Sequence, residues 1–197
     1  NGLSQQFTVT VKPNPNMTSA SALSLCSGNT VGLTLTADVT GTNFTWSAAT
    51  NATVGGETTT STSSSTINDL LTNTSNNSSV VSYSIQPSVN GCSGLPQTVN
   101  VTVNPLPTVT SPSQLTICSG EAVNLNLTSS LNGSNFTWSA ANNASVGGET
   151  TTNQSTSSIS DVLINSTTAD QTVVYSIIPT FNGCPGQSQQ LNVVVKP

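Results

Sequence analysis

Apolar residues alternate with hydroxyl and amide residues in short runs along the chain. Phe7, Val9 and Val11 stand two apart, as do Val31, Leu33 and Leu35, then Val99, Val101 and Val103, then Val123, Leu125 and Leu127. A period of two sends one side of an extended segment to a core and the other to water, and Thr, a good strand former, fills many of the outward positions. No segment keeps a period of 3.6. The expected fold class is all-β.

The pattern repeats on a larger scale. Cys26, Trp46, Tyr83 and Cys92 return as Cys118, Trp138, Tyr175 and Cys184, each 92 positions later and with no gap between the copies. The stretch "NFTWSAATNATVGGETTT" at 43–60 returns at 135–152 with two changes, Thr50 to Asn142 and Thr53 to Ser145. A repeat this long is a domain, near the ~100 residues of an immunoglobulin-like sandwich. Within each copy, segments such as "SALSLC", "TVGLTL", "NFTWSA", "TINDLL", "VVSYSIQP" and a closing strand are separated by turn signals about every ten residues, which predicts a Greek-key sandwich. "VGGE" reads as a tight Gly-Gly turn.

The closing strand occurs three times. "GLSQQFTVTVKP" at 2–13 matches "GLPQTVNVTVNP" at 94–105 and "GQSQQLNVVVKP" at 186–197, whereas every other element occurs twice. The expected organisation is residues 1–13 as the closing strand of a preceding repeat or a donated strand, 14–105 as the first repeat and 106–197 as the second. An alternating strand without a sheet is an edge in need of a partner. Phe7, Val9 and Val11 are therefore the expected strand-pairing residues, and the expected partners are neighbouring repeats or identical subunits in a head-to-tail assembly. "VNPLP" at 103–107 is expected to be a short, stiff linker, since its prolines favour extended backbone.

The ordered set "CSG … NFTWS … VVSYSI … NGCSG … VTVNPLP" resembles the PKD-like, immunoglobulin-like repeats strung along very large cell-surface and secreted proteins of Bacteroidota, adhesins of the gliding and type IX secretion systems among them. The resemblance spans both repeats and the additional closing strand. It implies two tandem immunoglobulin-like (PKD-like) β-sandwiches serving as stalks, spacers or filament units, with no catalytic residues to carry over.

Composition narrows the chemistry. Two lysines, seven acids and no histidine leave 5% of residues charged, against about 25% in an ordinary domain. With so few cations nothing neutralises phosphates, so nucleic acid is excluded as a partner, and a polybasic membrane patch fails for the same reason. No apolar run approaches a membrane span and no signal peptide is visible, so the expectation is a mature segment or one cut from something longer. No cofactor is expected. Serines are plentiful, but without histidine they lack an ordinary base, and Lys12 and Lys196 sit at repeat ends. "VGGE" lacks the cation and helix a phosphate loop needs. The chain is not expected to be an enzyme.

Four cysteines at repeat-equivalent positions point to disulfides and an oxidising compartment; zinc is disfavoured without histidine or a C-x-x-C pair. Two pairings stay open for Cys26, Cys92, Cys118 and Cys184. One lies within repeats, Cys26–Cys92 and Cys118–Cys184. The other follows from sandwich topology, which puts the first cysteine of a repeat and the second at opposite ends, more than ~20 Å apart, where a disulfide needs Cα atoms within about 7 Å. It pairs Cys26 with Cys184 and leaves Cys92 and Cys118 for neighbours.

Trp46 and Trp138 could form an aromatic platform for sugar, the basis of the alternative reading as a carbohydrate-binding accessory module. The competing expectation is a buried core tryptophan in each sandwich, with Phe44 and Phe136 on the same face and Tyr83 and Tyr175 buried nearby. Only Glu57/Glu149 and Asp69/Asp161 recur among the acids. They lack the clustered oxygen spacing of a calcium loop and read as hydrogen-bonded turn acids. Thirteen N-x-S/T sequons occur, and three recur in both copies: Asn43/Asn135, Asn51/Asn143 and Asn73/Asn165. These six are candidate glycosylation sites, with glycans as partners. The functional expectation is a structural, extracellular stretch of an adhesin stalk or a self-assembling filament, on a cell surface or secreted.

Overall fold

The period of two becomes sheet. In the computed structural model, which describes residues 3–197, the chain is all-β and divides into two compact units, one formed by residues up to Thr74 with Ser79–Val103, the other by Ser75–Ser78 with Asn104–Pro197. No helix among the described residues is long and apolar enough to cross a membrane.

The first unit is an immunoglobulin-like sandwich. Its larger sheet runs in the order Ala22–Cys26, Gln97–Asn104, Ser79–Val89, Asn43–Ala48, Thr62–Ser63, with Cys92–Ser93 folding back on Ser79–Val89. Short pairings cover it: Leu70–Asn73 between Asn29–Thr30 and Val54–Gly55, and Leu33–Thr34 on Thr66–Ile67. Alternation decides what is buried. Val81, Tyr83 and Ile85 on one strand face the same core as Val99, Val101 and Val103 on its neighbour.

The second unit repeats the plan. Gln114–Cys118, Gln189–Lys196, Gln171–Phe181 and Asn135–Ala140 lie side by side, the first pair parallel and the rest antiparallel. Val173, Tyr175, Ile177, Leu191, Val193 and Val195 are fully buried in its core.

Three local expectations change. "TVGLTL" is two short strands, broken where Gly32 takes a φ of +61°. "TINDLL" is likewise split, and Asp69 in the gap turns inward. Residues 3–13 lie in no ladder, and Phe7, Val9 and Val11 are exposed. An alternating sequence is a strand only against a sheet edge, and within the first unit the closing-strand position, between Ala22–Cys26 and Ser79–Val89, is taken by Gln97–Asn104.

Candidate functional site

The near-identical stretch at 43–60 and 135–152 builds the best-defined polar cluster in each unit. Asn43–Ala48 pairs with Ser79–Val89 in a register that sets Ala48 opposite Tyr83. Trp46, two residues earlier, points into the same core and meets Tyr83 edge-on, centroids 5.8 Å apart at 67°. Trp138 and Tyr175 repeat this at 5.8 Å and 60°. Both tryptophans are 5% exposed, so neither offers a platform to a sugar ring.

Beyond the tryptophan the chain turns on an asparagine. The Asn51 side-chain carbonyl accepts the Thr53 N–H at 2.9 Å, and the Asn51 N–H donates to Glu57 Oε1 at 3.0 Å. The Asn51 amide reaches Val80 O at 2.8 Å, tying the turn to the long strand. Asn143, Ser145, Glu149 and Thr172 form the same set in the second unit.

Gly56 comes next, in place of the expected Gly-Gly turn. Val54–Gly55 is a short strand on Leu70–Asn73, and Gly56 has a φ of +97° with Leu70 O 2.0 Å from where a Cβ would stand. Only glycine fits both the dihedral and the space. Gly148 repeats it against Val162 O.

That close approach delivers Thr58 to Asp69. The Thr58 N–H donates to Oδ2 at 2.7 Å, its hydroxyl to Oδ1 at 2.7 Å, and the Tyr83 phenol to Oδ2 at 2.8 Å. In the second unit the Thr150 N–H, the Thr150 hydroxyl and the Tyr175 phenol make the same bonds to Asp161 at 2.8, 2.7 and 2.8 Å. Burial, then the hydrogen bond to the carboxylate, push both phenols well above the ordinary tyrosine range. Each carboxylate thus closes a loop and a strand onto one point. The arrangement holds structure, and both oxygens are occupied by donors of the protein itself.

The remaining acids lie on the surface. Asp38 is held below the usual carboxylate range by the Asn16 backbone N–H and the Asn16 amide. Glu121 accepts the Cys118 N–H at 2.9 Å, and Lys196 pairs with Asp170. Among the described residues no group of three or more His, Cys, Asp or Glu could hold a metal. The hollows beside Phe44 and Phe136 are lined by Ser, Thr and Asn, with no titratable group.

The candidate glycosylation positions divide by exposure. Asn43 and Asn135 are exposed, and Asn51 and Asn143 are half-buried with their amides bonded as above. Asn73 and Asn165 are buried, their amides donating to Val103 O at 2.7 Å and Val195 O at 3.0 Å. Of the cysteines, Cys26 and Cys184 are disulfide-bonded, while the half-buried Cys92 and the exposed Cys118 carry free thiols.

The recurring acids Asp69 and Asp161 meet the recurring tyrosines, a tie whose only trace in the sequence is that both residue types repeat 92 positions apart. The close approach at Gly56 leaves no trace there beyond the glycine itself.

Comparison with known proteins gives one family. The model of the PKD-like domain family matches residues 23–107 and again 115–197. Among curated protein sequences none matches the chain. Solved structures with a related fold include the two-domain DIP-gamma IG1+IG2, at 14% identity over 94% of this chain and 99% of that one, with a TM-score of 0.38. The titin domains I67–I69 align at 10% identity over 94% and 66%, TM-score 0.42. The insect immune protein hemolin aligns at 11% over 95% and 48%, TM-score 0.40.

Proposed function

The chain belongs to the PKD-like domain family, and from that premise we propose that it is a structural, non-catalytic stretch of tandem repeats in an extracellular protein, extending an adhesin stalk or a self-assembling filament. One observation carries the reading. Phe7, Val9 and Val11 stand 92 positions before Val99, Val101 and Val103, the core stripe of the closing strand. Those three valines are 0% exposed, whereas Phe7, Val9 and Val11 are 87%, 69% and 88% exposed. Residues 3–13 therefore carry a core-facing stripe that neither repeat of this chain uses. The occupant that fits is a further PKD-like repeat needing its closing strand, so the units continue head to tail.

The other features agree with a load-bearing spacer. Every recurring acid is spent on holding loops, and the bonded cysteines suit an oxidising, extracellular compartment. Of the three recurring sequon pairs, a glycan is compatible only with the exposed Asn43 and Asn135, since the amides of Asn51, Asn143, Asn73 and Asn165 are hydrogen-bonded in the folded repeats.

Hydrogen exchange on native surface material tests this. The Phe7–Val11 amides are expected to be protected there as strongly as Val99–Val103, and to exchange freely in the isolated chain. Free exchange in both samples contradicts the reading.

A further inference from the structure

The hollows beside the repeat-equivalent phenylalanines differ in one hydrogen-bond donor. In the second unit Thr156 is part of the wall, and its Oγ1 takes the Trp138 indole N–H at 3.0 Å while donating to Ser158 O at 2.9 Å. In the first unit Ser64 stands 92 positions earlier, in the wall of a hollow of about 320 Å³. Its hydroxyl turns to Thr66 instead, accepting the N–H at 3.1 Å and donating to the carbonyl at 3.0 Å. Trp46 Nε1 is thereby left without an acceptor from the chain, on a side chain only 5% exposed. A buried donor with no acceptor is costly, so a group that completes the bond is bound with advantage.

The chemistry of the wall narrows what that group is. Thr42, Asn43, Thr45, Ser63 and Ser64 offer hydroxyls and one amide, and Phe44 supplies an apolar side. No ionisable side chain lines the hollow, so a charged ligand finds no counter-charge there. Short groups that both donate and accept, set beside one aromatic ring, match a neutral molecule with hydroxyls on its rim and C–H groups on its face. The hollow lies at the small end of ligand sites, which run from about 300 to 1,000 Å³, and so suits a single ring.

We propose that the hollow beside Phe44 binds one pyranose ring of a neutral saccharide, with Ser64 linking a sugar oxygen to the Trp46 indole N–H. On binding, Ser64 rotates about χ1 away from Thr66. Its oxygen then accepts the indole N–H, and its O–H donates to the sugar oxygen. An unbranched serine turns freely in this way, whereas a β-branched threonine is held to fewer rotamers. The Thr66 groups that Ser64 releases are on a half-buried residue, within reach of water. The tryptophan acts here as a donor from inside the core, not as the stacking face that its burial rules out. In the second repeat Thr156 already fills the indole bond, so the hollow beside Phe136 lacks the donor. Only the first of these two repeats carries the site.

The chain holds two tryptophans, one in each repeat, so a proton–nitrogen correlation spectrum carries one indole signal from each. The test is titration of the two-repeat chain with glucose, galactose, mannose and N-acetylglucosamine, followed through these two signals. The Trp46 signal is identified as the one that Ser64→Thr moves towards the position of the other. The expected result is a saturable shift of the Trp46 signal with at least one sugar at millimolar concentration, while the Trp138 signal stays in place. Ser64→Thr is expected to abolish the response, because the indole bond is then filled from within the chain, as in the second repeat. No saturable shift with any of the four sugars overturns the proposal. So does a shift of equal size in both signals, or one that survives Ser64→Thr. A Trp46 N–H bonded to a held water that no sugar displaces overturns it as well. None of these outcomes touches the head-to-tail reading, which rests on other residues.

Discussion

The Tyr83 phenol donates a 2.8 Å hydrogen bond to Asp69 Oδ2 inside the first core, and the buried Tyr175 phenol does the same at 2.8 Å to the half-buried Asp161 in the second unit. Asp69 has two further donors, the N–H and hydroxyl of Thr58. Asp69→Ala removes the acceptor for all three and leaves buried donors unsatisfied, each worth about 1–3 kcal/mol. We expect the first repeat to lose roughly 3 kcal/mol or more in urea unfolding while the second, with Asp161 intact, is unchanged. Equal loss in both, or none, contradicts the assignment.

The same pair sets a response to base. A phenol whose pKa is raised in the folded state contributes stability that is complete below its unfolded value of about 10 and is lost as pH rises above it, by up to about 1.4 kcal/mol per pH unit and per tyrosine. Both tyrosines are raised by burial and by their carboxylate partners. Melting temperature should therefore fall above pH 10, with phenolate absorbance appearing only as the repeats unfold. Tyr83→Phe should flatten the slope for the first repeat. Ionisation of folded protein at pH 10 runs against this account.

Gly55 and Gly56 make a paired control. Gly55→Ala meets no atom within 4 Å, whereas Gly56→Ala places a methyl 2.0 Å from Leu70 O at a φ of +97°. The first is expected to change stability by under ~1 kcal/mol and the second to cost about 3 kcal/mol or more. Thermal unfolding of the two variants decides it, and equal effects would show that the close approach is absent.

The tryptophans differ in one respect. Trp138 Nε1 donates to Thr156 Oγ1 at 3.0 Å, whereas Trp46 Nε1 is buried with no acceptor. Ser64 stands where the second repeat has Thr156, and its hydroxyl accepts the Thr66 N–H instead. A β-branched threonine restricts χ1, and Thr156 holds its hydroxyl where the indole N–H of the second repeat reaches it. Ser64→Thr is thus expected to stabilise the first repeat by about 1 kcal/mol, read by denaturant midpoint at unchanged slope. No gain would mean that the missing bond is set by the backbone.

How much of this was legible in the sequence depended on the range of the interaction. Period-two alternation marked Val99, Val101 and Val103 as a core stripe, and exact spacing of the copies marked Trp46 and Tyr83 as core residues. Those signals are local or duplicated in the letters. The tie from Tyr83 to Asp69 depends on the register of strands that are not adjacent, so it left only the recurrence of both residues. Gly32 reads as part of a strand and Gly56 as part of a Gly-Gly turn, although the first breaks its strand and the second admits a neighbouring carbonyl. The cysteine pairing is not legible in the letters because it turns on which end of a sandwich each cysteine occupies, a matter of strand register such as Cys118 opposite Lys196 and Cys184 opposite Phe181. The stretch at 43–60 could have been a duplicated binding site; its bonds make it the clamp that joins turn, edge strand and core in each repeat.

The central claim is that these repeats form part of a head-to-tail array. Electron microscopy of the native surface material measures it most directly. The account predicts unbranched rods longer than two repeats, with an axial period near the length of one 11-residue strand, roughly 35–40 Å. Discrete particles no longer than two repeats would contradict it.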